Sequence, residues 1–131
     1  MNLIYATDTH SFLWHLSQED KLGKNAILAF EEAESGNATI LVPTIVLAEA
    51  FYICKVKGIN VKFAKIIEKI EVGWNFTSTP LDFNVIKQIQ QLDKIKELHD
   101  KIIVATAQLF NANLITKDKE IINSKYVEVI W

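Results

Sequence analysis

The sequence predicts an α/β fold with a mainly parallel sheet of about five strands. Short apolar, β-branched runs alternate with helical patterns along the whole chain. The first run, Leu3–Thr7, lacks polar alternation and reads as a strand buried on both faces, as parallel sheets require. The chain has 131 residues, 50% hydrophobic and 23% charged, which suits one globular core. No repeat, linker or low-complexity segment divides it, so residues 1–131 are expected to form a single domain.

The first strand ends at Asp8, and apolar residues at helical spacing follow over residues 11–16. A polar, Gly-containing stretch leads to a helix over residues 24–34, with Ile27, Leu28 and Glu31 on its face and Gly36-Asn37 as its stop. Residues 39–42 read as the second strand, closed by Pro43. Thr44 is a suitable N-cap for a helix over residues 44–57, ended by Gly58. Ile45, Val46, Leu47, Ala48, Ala50, Phe51 and Ile53 make this helix so apolar that a central, mostly covered position is expected. Asn60 is read as the cap of the next helix, with Phe63, Ile66, Ile67 and Ile70 inward and Lys62, Lys65 and Lys69 outward.

Residues 75–79 form the third expected strand, stopped by Pro80, and Asp82 caps a helix carrying Val85, Ile86, Ile89 and Leu92. A charged stretch over residues 93–97 precedes an apolar helix expected over residues 100–110. Residues 113–116 form a fourth strand, residues 119–123 a short helix and residues 127–130 a last strand at the sheet's edge.

Composition narrows the partners. The net charge is -2, so no global basic field advertises a nucleic-acid ligand. Every one of the 14 basic residues is lysine, so phosphate contacts must come from ammonium groups, backbone amides, polar side chains or a metal. Cys54 is the only cysteine and fits a reducing compartment. No secretion signal is visible, and the longest apolar stretch, broken by Pro43 and Glu49, falls short of the ~20 residues that span a bilayer. A soluble cytoplasmic protein with no membrane partner is expected.

Four carboxylates stand apart. Asp8 ends the first strand and Asp118 follows the fourth, so both should emerge at one sheet edge if the strands are parallel. Asp100 opens an apolar helix, and Glu49 is the only charge within another. Each has a bland alternative: Asp8 and Asp118 as N-caps, Asp100 as a partner of the helix dipole, Glu49 on a wet helix face. Four together around one edge are harder to explain separately. Such a cluster repels itself and raises its own pKa values, and with no arginine a divalent cation is the natural compensator. All-oxygen ligands favour Mg²⁺ or Mn²⁺, which can acidify a water and steady a leaving oxygen in phosphodiester hydrolysis. No Ser/His/Asp triad or nucleophilic cysteine competes, and Cys54 is read as packing.

These residues resemble a known family. Tyr5-Ala6-Thr7-Asp8-Thr9-His10-Ser11-Phe12-Leu13-Trp14, Pro43-Thr44-Ile45-Val46-Leu47-Ala48-Glu49, His99-Asp100-Lys101-Ile102-Ile103-Val104-Ala105-Thr106-Ala107 and Leu114-Ile115-Thr116-Lys117-Asp118 occur in the order of the PIN-domain ribonucleases. Within these, the chain resembles the VapC-type toxins of bacterial and archaeal toxin–antitoxin pairs. The resemblance implies a PIN-like three-layer α/β/α fold and a Mg²⁺- or Mn²⁺-dependent endoribonuclease that leaves a 3′-hydroxyl and a 5′-phosphate. It implies Asp8, Glu49, Asp100 and Asp118 as catalytic, metal-holding acids, with Thr116 in support. It further implies an RNA substrate, a cognate antitoxin bound over the acidic cleft and a homodimer. The chain departs from many relatives in Leu98-His99, where Pro-Phe is common, and in Lys101, where Arg is common; the substrate surface is where this would be felt.

His10 beside Asp8 is read as supporting or capping rather than ligating. His15 and His99 are read as surface or boundary residues, and Trp14 as core, although Trp14, Trp74 and Trp131 could each stack on a base. Two other functions were open to the sequence. A non-catalytic PIN-like RNA-binding or protein-interaction module would have no need of a repulsive acidic quartet. A phosphoacceptor or phosphatase using Asp8 as nucleophile would want another Asp close behind it, where this chain has Thr9-His10.

Overall fold

Strands Leu3–Thr7 (β1), Ala38–Pro43 (β2), Phe76–Thr79 (β3), Asn113–Ile115 (β4) and Val129–Ile130 (β5) form one sheet in the spatial order β3-β2-β1-β4-β5. Every neighbouring pair is parallel. The computed structural model describes residues 3–131. Helices Thr9–Ser17 (α1), Lys24–Glu34 (α2), Thr44–Val56 (α3), Phe63–Val72 (α4), Phe83–Ile89 (α5), Leu98–Leu109 (α6) and Lys119–Ser124 (α7) flank the sheet, giving the expected three-layer α/β/α arrangement. No helix of the described residues is long and apolar enough to cross a membrane.

The strand order reverses at β1. The chain leaves β1 toward β2 and β3, then crosses back to place β4 on β1's other side. Such a switch point opens a crevice beyond the strand carboxyl ends. Register fixes what faces it: Thr7 lies opposite Ile115, and the Asp8 amide donates to the Ile115 carbonyl at 3.2 Å. Asp8 is therefore held beside Thr116, two residues before Asp118.

The sheet core is Ala6, Ile40, Val42, Leu114 and Ile115, all fully buried. Burial on both faces holds for Tyr5–Thr7 but not for Leu3 and Ile4, which are exposed at the strand's start.

Several packing expectations are corrected. Helix α2 buries Ala26, Ala29, Phe30 and Ala33 and leaves Ile27, Leu28 and Glu31 outside. Three alanines let the helix lie close on β2, with Phe30 filling the remaining gap. The helix stops as expected at Gly36, whose φ of 89° is the left-handed geometry a C-terminal glycine supplies. At its other end Gly23 is enforced by packing: a Cβ there would meet the Trp131 backbone and ring at 2.6 Å.

Helix α3 is amphipathic rather than covered. Val46, Ala50 and Ile53 face inward, while Phe51, Tyr52 and Val56 are exposed. Its N-cap position is Pro43, with Thr44 already helical. Helix α4 starts at Phe63 behind Lys62, so Asn60 is not its cap; Ile66 is buried, but Ile67 faces solvent. Lys69 is not free in water: its Nζ reaches Glu34 Oε1 at 2.6 Å and lies 4.4 Å from the Phe76 ring centroid.

Asp82 caps α5 as expected, accepting from the Val85 amide at 3.2 Å, although Ile86 is exposed. Helix α6 begins at Leu98, earlier than the charge run suggested, because Glu97 Oε2 accepts the Asp100 amide at 2.8 Å and caps it. Strand β5 is an edge strand, shortened to Val129–Ile130.

Candidate active site at the carboxyl edge of the sheet

Each expected acid reaches the carboxyl edge by a different element. Asp8 lies between β1 and α1, and it is both a cap and an acid of the edge. Its Oδ1 accepts the Ser11 amide at 3.0 Å, and its Oδ2 accepts from Thr116 Oγ1 at 2.5 Å. Thr116 Oγ1 in turn accepts the Asp118 amide at 3.1 Å. One buried hydroxyl thus joins the first and last of the four expected acids. Asp118 caps α7 through Oδ1, which accepts the Ile121 amide at 3.0 Å. The bland N-cap readings of Asp8 and Asp118 are therefore correct, and they coexist with the cluster.

Glu49 lies in the second turn of α3 with its side chain 29% exposed. Thr9, the first residue of α1, donates its hydroxyl to Glu49 Oε1 at 2.6 Å. His99 Nδ1 stands 3.5 Å from Glu49 Oε2 and 2.8 Å from Glu97 Oε1. Burial pushes the Glu97 carboxyl up, but hydrogen bonds from Asp100 and His99 outweigh it and hold Glu97 below the usual range.

Asp100 carries the repulsion. It sits in the first turn of α6, where the helix dipole favours a negative charge. Burial nevertheless raises its pKa from 3.8 to about 7, with the charges of Asp118, Glu97, Asp8 and Glu49 adding to the shift. The charges of the other three expected acids thus all reach Asp100. None of the hydrogen bonds among the described residues reaches the Asp100 carboxyl oxygens.

Among the described residues, no three His, Cys, Asp or Glu side chains converge into a ready-made metal cage. Mg²⁺ does not need one, since it is commonly held by one or two carboxylates and keeps several waters. The donor set fits such an ion: hard oxygens only, an Asp100 whose charge form is disfavoured, and no lysine or arginine ion-paired to the four acids.

Sequence reasoning missed Thr9, Glu97 and His99. Thr9 follows Asp8 directly and could have been found as the first residue of a capped helix. Glu97 was hidden in a charge run, and His99 was set aside as a boundary residue. His15 is a boundary residue as expected, but a tightly packed one. It stacks on Phe30 at 4.3 Å with planes 5° apart, and its Nε2 lies 2.7 Å from Glu34 Oε2. Trp14 is half-buried rather than core. It packs against Trp131 and His10, with Lys117 Nζ 4.9 Å from its ring centroid. Trp74 is 94% exposed but precedes β3, at the opposite edge of the sheet.

A cavity of about 560 Å³ lies between Pro80, Asp82, Val85 and Phe110. It contains none of the four acids.

Solved structures share the fold. VapBC2 of Rickettsia felis, bound to a DNA fragment from its promoter, matches with a TM-score of 0.69 at 19% identity over 97% of each chain. A toxin–antitoxin complex from Klebsiella pneumoniae matches at 0.67 and 20% identity over 94% of each chain. VapC20 of Mycobacterium tuberculosis, a toxin that cleaves the sarcin–ricin loop, matches at 0.71 and 15% identity over 98% of this chain and 99% of that one. No curated protein sequence matches. The PIN domain family profile matches residues 5–125, a span that begins in β1 and ends just past α7, enclosing all four acids. The chain belongs to the PIN domain family.

Proposed function

We propose that this protein is a divalent-metal-dependent endoribonuclease, the toxin of a toxin–antitoxin pair. The observation that carries the reading is the half-buried Asp100, whose carboxyl is pushed up by burial and by the charges of Asp118, Asp8 and Glu49, at the switch point of a PIN fold. A fold that needed these acids only as caps would gain nothing from burying Asp100 among them.

Asp8, Asp100 and Asp118 would hold the ion, with Glu49 completing the acidic wall. When bound, Mg²⁺ or Mn²⁺ supplies Lewis acidity toward water and phosphate oxygen. The chain's own residues set the geometry. Thr116 fixes the Asp8 carboxylate and the Asp118 backbone together, and Thr9 fixes Glu49. With a pKa raised to about 7, Asp100 shares its proton with solvent near neutral pH and would be the acid most favoured by a neighbouring cation. Lys101 and Lys117, next in sequence to two of the acids, would supply positive charge for flanking phosphates.

The partner follows from the same electrostatics and from the likeness to VapBC proteins. An antitoxin segment that inserts a basic side chain among the acids would replace the ion. A homodimer in the cytoplasm is the expected assembly. The test is cleavage of a mixed RNA pool with Mg²⁺, with Mn²⁺ and with EDTA. We expect cuts only with a metal, and Asp100→Asn to lower the rate by orders of magnitude while the fold survives. Metal-independent cleavage, or near-wild-type cleavage by Asp100→Asn, would overturn the assignment.

A further inference from the structure

We propose that the cavity beside Glu49 is a pocket for an unpaired nucleobase next to the cleaved phosphate, with Tyr52 as its stacking surface. The inference rests on the ribonuclease reading above and names where that enzyme would read its substrate.

The cavity measures about 440 Å³, ample for one base. Its floor is a helical stripe: Ile45, Ala48 or Glu49, and Tyr52 recur on α3 at the spacing that aligns one face. Ile45 packs against the core, while Ala48 and Tyr52 of that stripe face outward. Tyr52 is 61% exposed, a large flat ring left in water one turn from Glu49. Base–aromatic stacking needs such a surface and tolerates any base.

The polar lining suits a base edge. Glu49 accepts hydrogen bonds, and the imidazoles of His10 and His99 can donate or accept, as a base's mixed edge requires. Lys57 is the single lysine of the lining, placed for a neighbouring phosphate. Position favours this cavity over the others. Glu49 is at once its wall and a member of the acidic cluster, so an occupant lies one side chain from the reacting phosphate. The cavity near Pro80 and the two beside α4 contain none of the four acids. Stacking on Tyr52 needs an unpaired base, so single-stranded RNA is the probe for this pocket.

The test uses the full chain and fluorescein-labelled RNA in EDTA, where binding is read without cleavage. Tyr52→Ala is expected to weaken single-stranded RNA binding by roughly 5- to 150-fold, the span of one lost stack. Tyr52→Phe should stay within about twofold, because the ring remains. With Mg²⁺, Tyr52→Ala should also change which sites are cut in a mixed pool. Unchanged affinity and cleavage pattern in Tyr52→Ala would overturn the pocket. So would a shift from dimer to monomer in Tyr52→Ala at unchanged RNA affinity, which would assign the surface to a second copy of the chain. The ribonuclease reading fails separately, if wild type and Asp100→Asn cleave alike or neither cleaves.

Discussion

Thr116 Oγ1 donates to Asp8 Oδ2 across 2.5 Å, joining residues 108 positions apart. The bond exists because β1 and β4 are parallel neighbours in a register that sets Thr7 against Ile115. It is made by a fully buried hydroxyl, which also accepts the Asp118 amide. Sheet pairing, not local sequence, thus brings the two ends of the acidic cluster together.

Thr116→Val tests that link. Valine keeps the shape but cannot donate to Asp8 or accept from Asp118. A hydrogen bond to a charged group contributes about 1.5–3 kcal/mol, so a fall of roughly 5–12 °C in Tm is expected for a domain of this size. Metal-dependent cleavage should drop sharply, because Asp8 loses its orientation. Thr116→Ser should recover most of both, and a serine variant as impaired as valine would show that the methyl group, not the hydroxyl, matters.

His15 provides a second test, away from the acids. Burial pushes its pKa below 6.5 despite the pull of Glu34, with Lys69 adding to the depression. The geometry and the shift oppose each other here, since a 2.7 Å contact with Glu34 favours the charged ring. Stacking against Phe30 explains why burial prevails. A folded state with a depressed histidine binds fewer protons than the unfolded chain, so its contribution falls as pH drops below the unfolded value. Thermal melts from about pH 7 to about pH 5 should therefore show wild type losing stability relative to His15→Gln. A difference that stayed flat or reversed would mean the ring is charged in place.

Much of this was legible in the sequence, for identifiable reasons. Asp8, Asp82 and Asp118 precede helical patterns directly, and each caps the helix expected there. The alternation of elements gave the parallel sheet, because parallel strands require crossovers. Facing was harder. Ile27 and Leu28 point outward while Ala26, Ala29 and Ala33 point inward, since close approach to β2 selects small residues over large apolar ones. Helix α3 misled in the same way: its apolar surplus, Tyr52 included, is on the outside. His99 stands two residues from Glu97, but its contact with Glu49 exists only in the folded chain, so the sequence does not mark it as part of the acidic edge.

The last prediction concerns the cost of assembling the cluster. Repulsion does not fall evenly on four acids; it appears at Asp100, whose pKa rises to about 7 through burial and then through Asp118, Glu97, Asp8 and Glu49. Asp8 accepts hydrogen bonds from the Ser11 amide and the Thr116 hydroxyl, and Glu49 accepts one from Thr9, whereas the Asp100 carboxyl accepts none among the described residues. A carboxyl with a raised pKa binds more protons in the folded state than in the unfolded one. Stability must therefore fall as pH rises from the unfolded value of 3.8 to about 7, and level off above it. The full shift would amount to about 4 kcal/mol, but Asp100 is only half-buried, and solvent screening leaves about 1–2 kcal/mol. Asp100→Asn removes the titration while keeping the shape. In EDTA it should match wild type near the lower end of that window and melt roughly 3–8 °C higher at about pH 8. Adding Mg²⁺ or Mn²⁺ at about pH 8 should reverse the order, because the ion stabilises only the protein that holds it well. Wild type should then gain more than Asp100→Asn. Equal ion-induced shifts in the two proteins would place the metal away from Asp100, and an EDTA difference independent of pH would show that Asp100 is not the residue under strain.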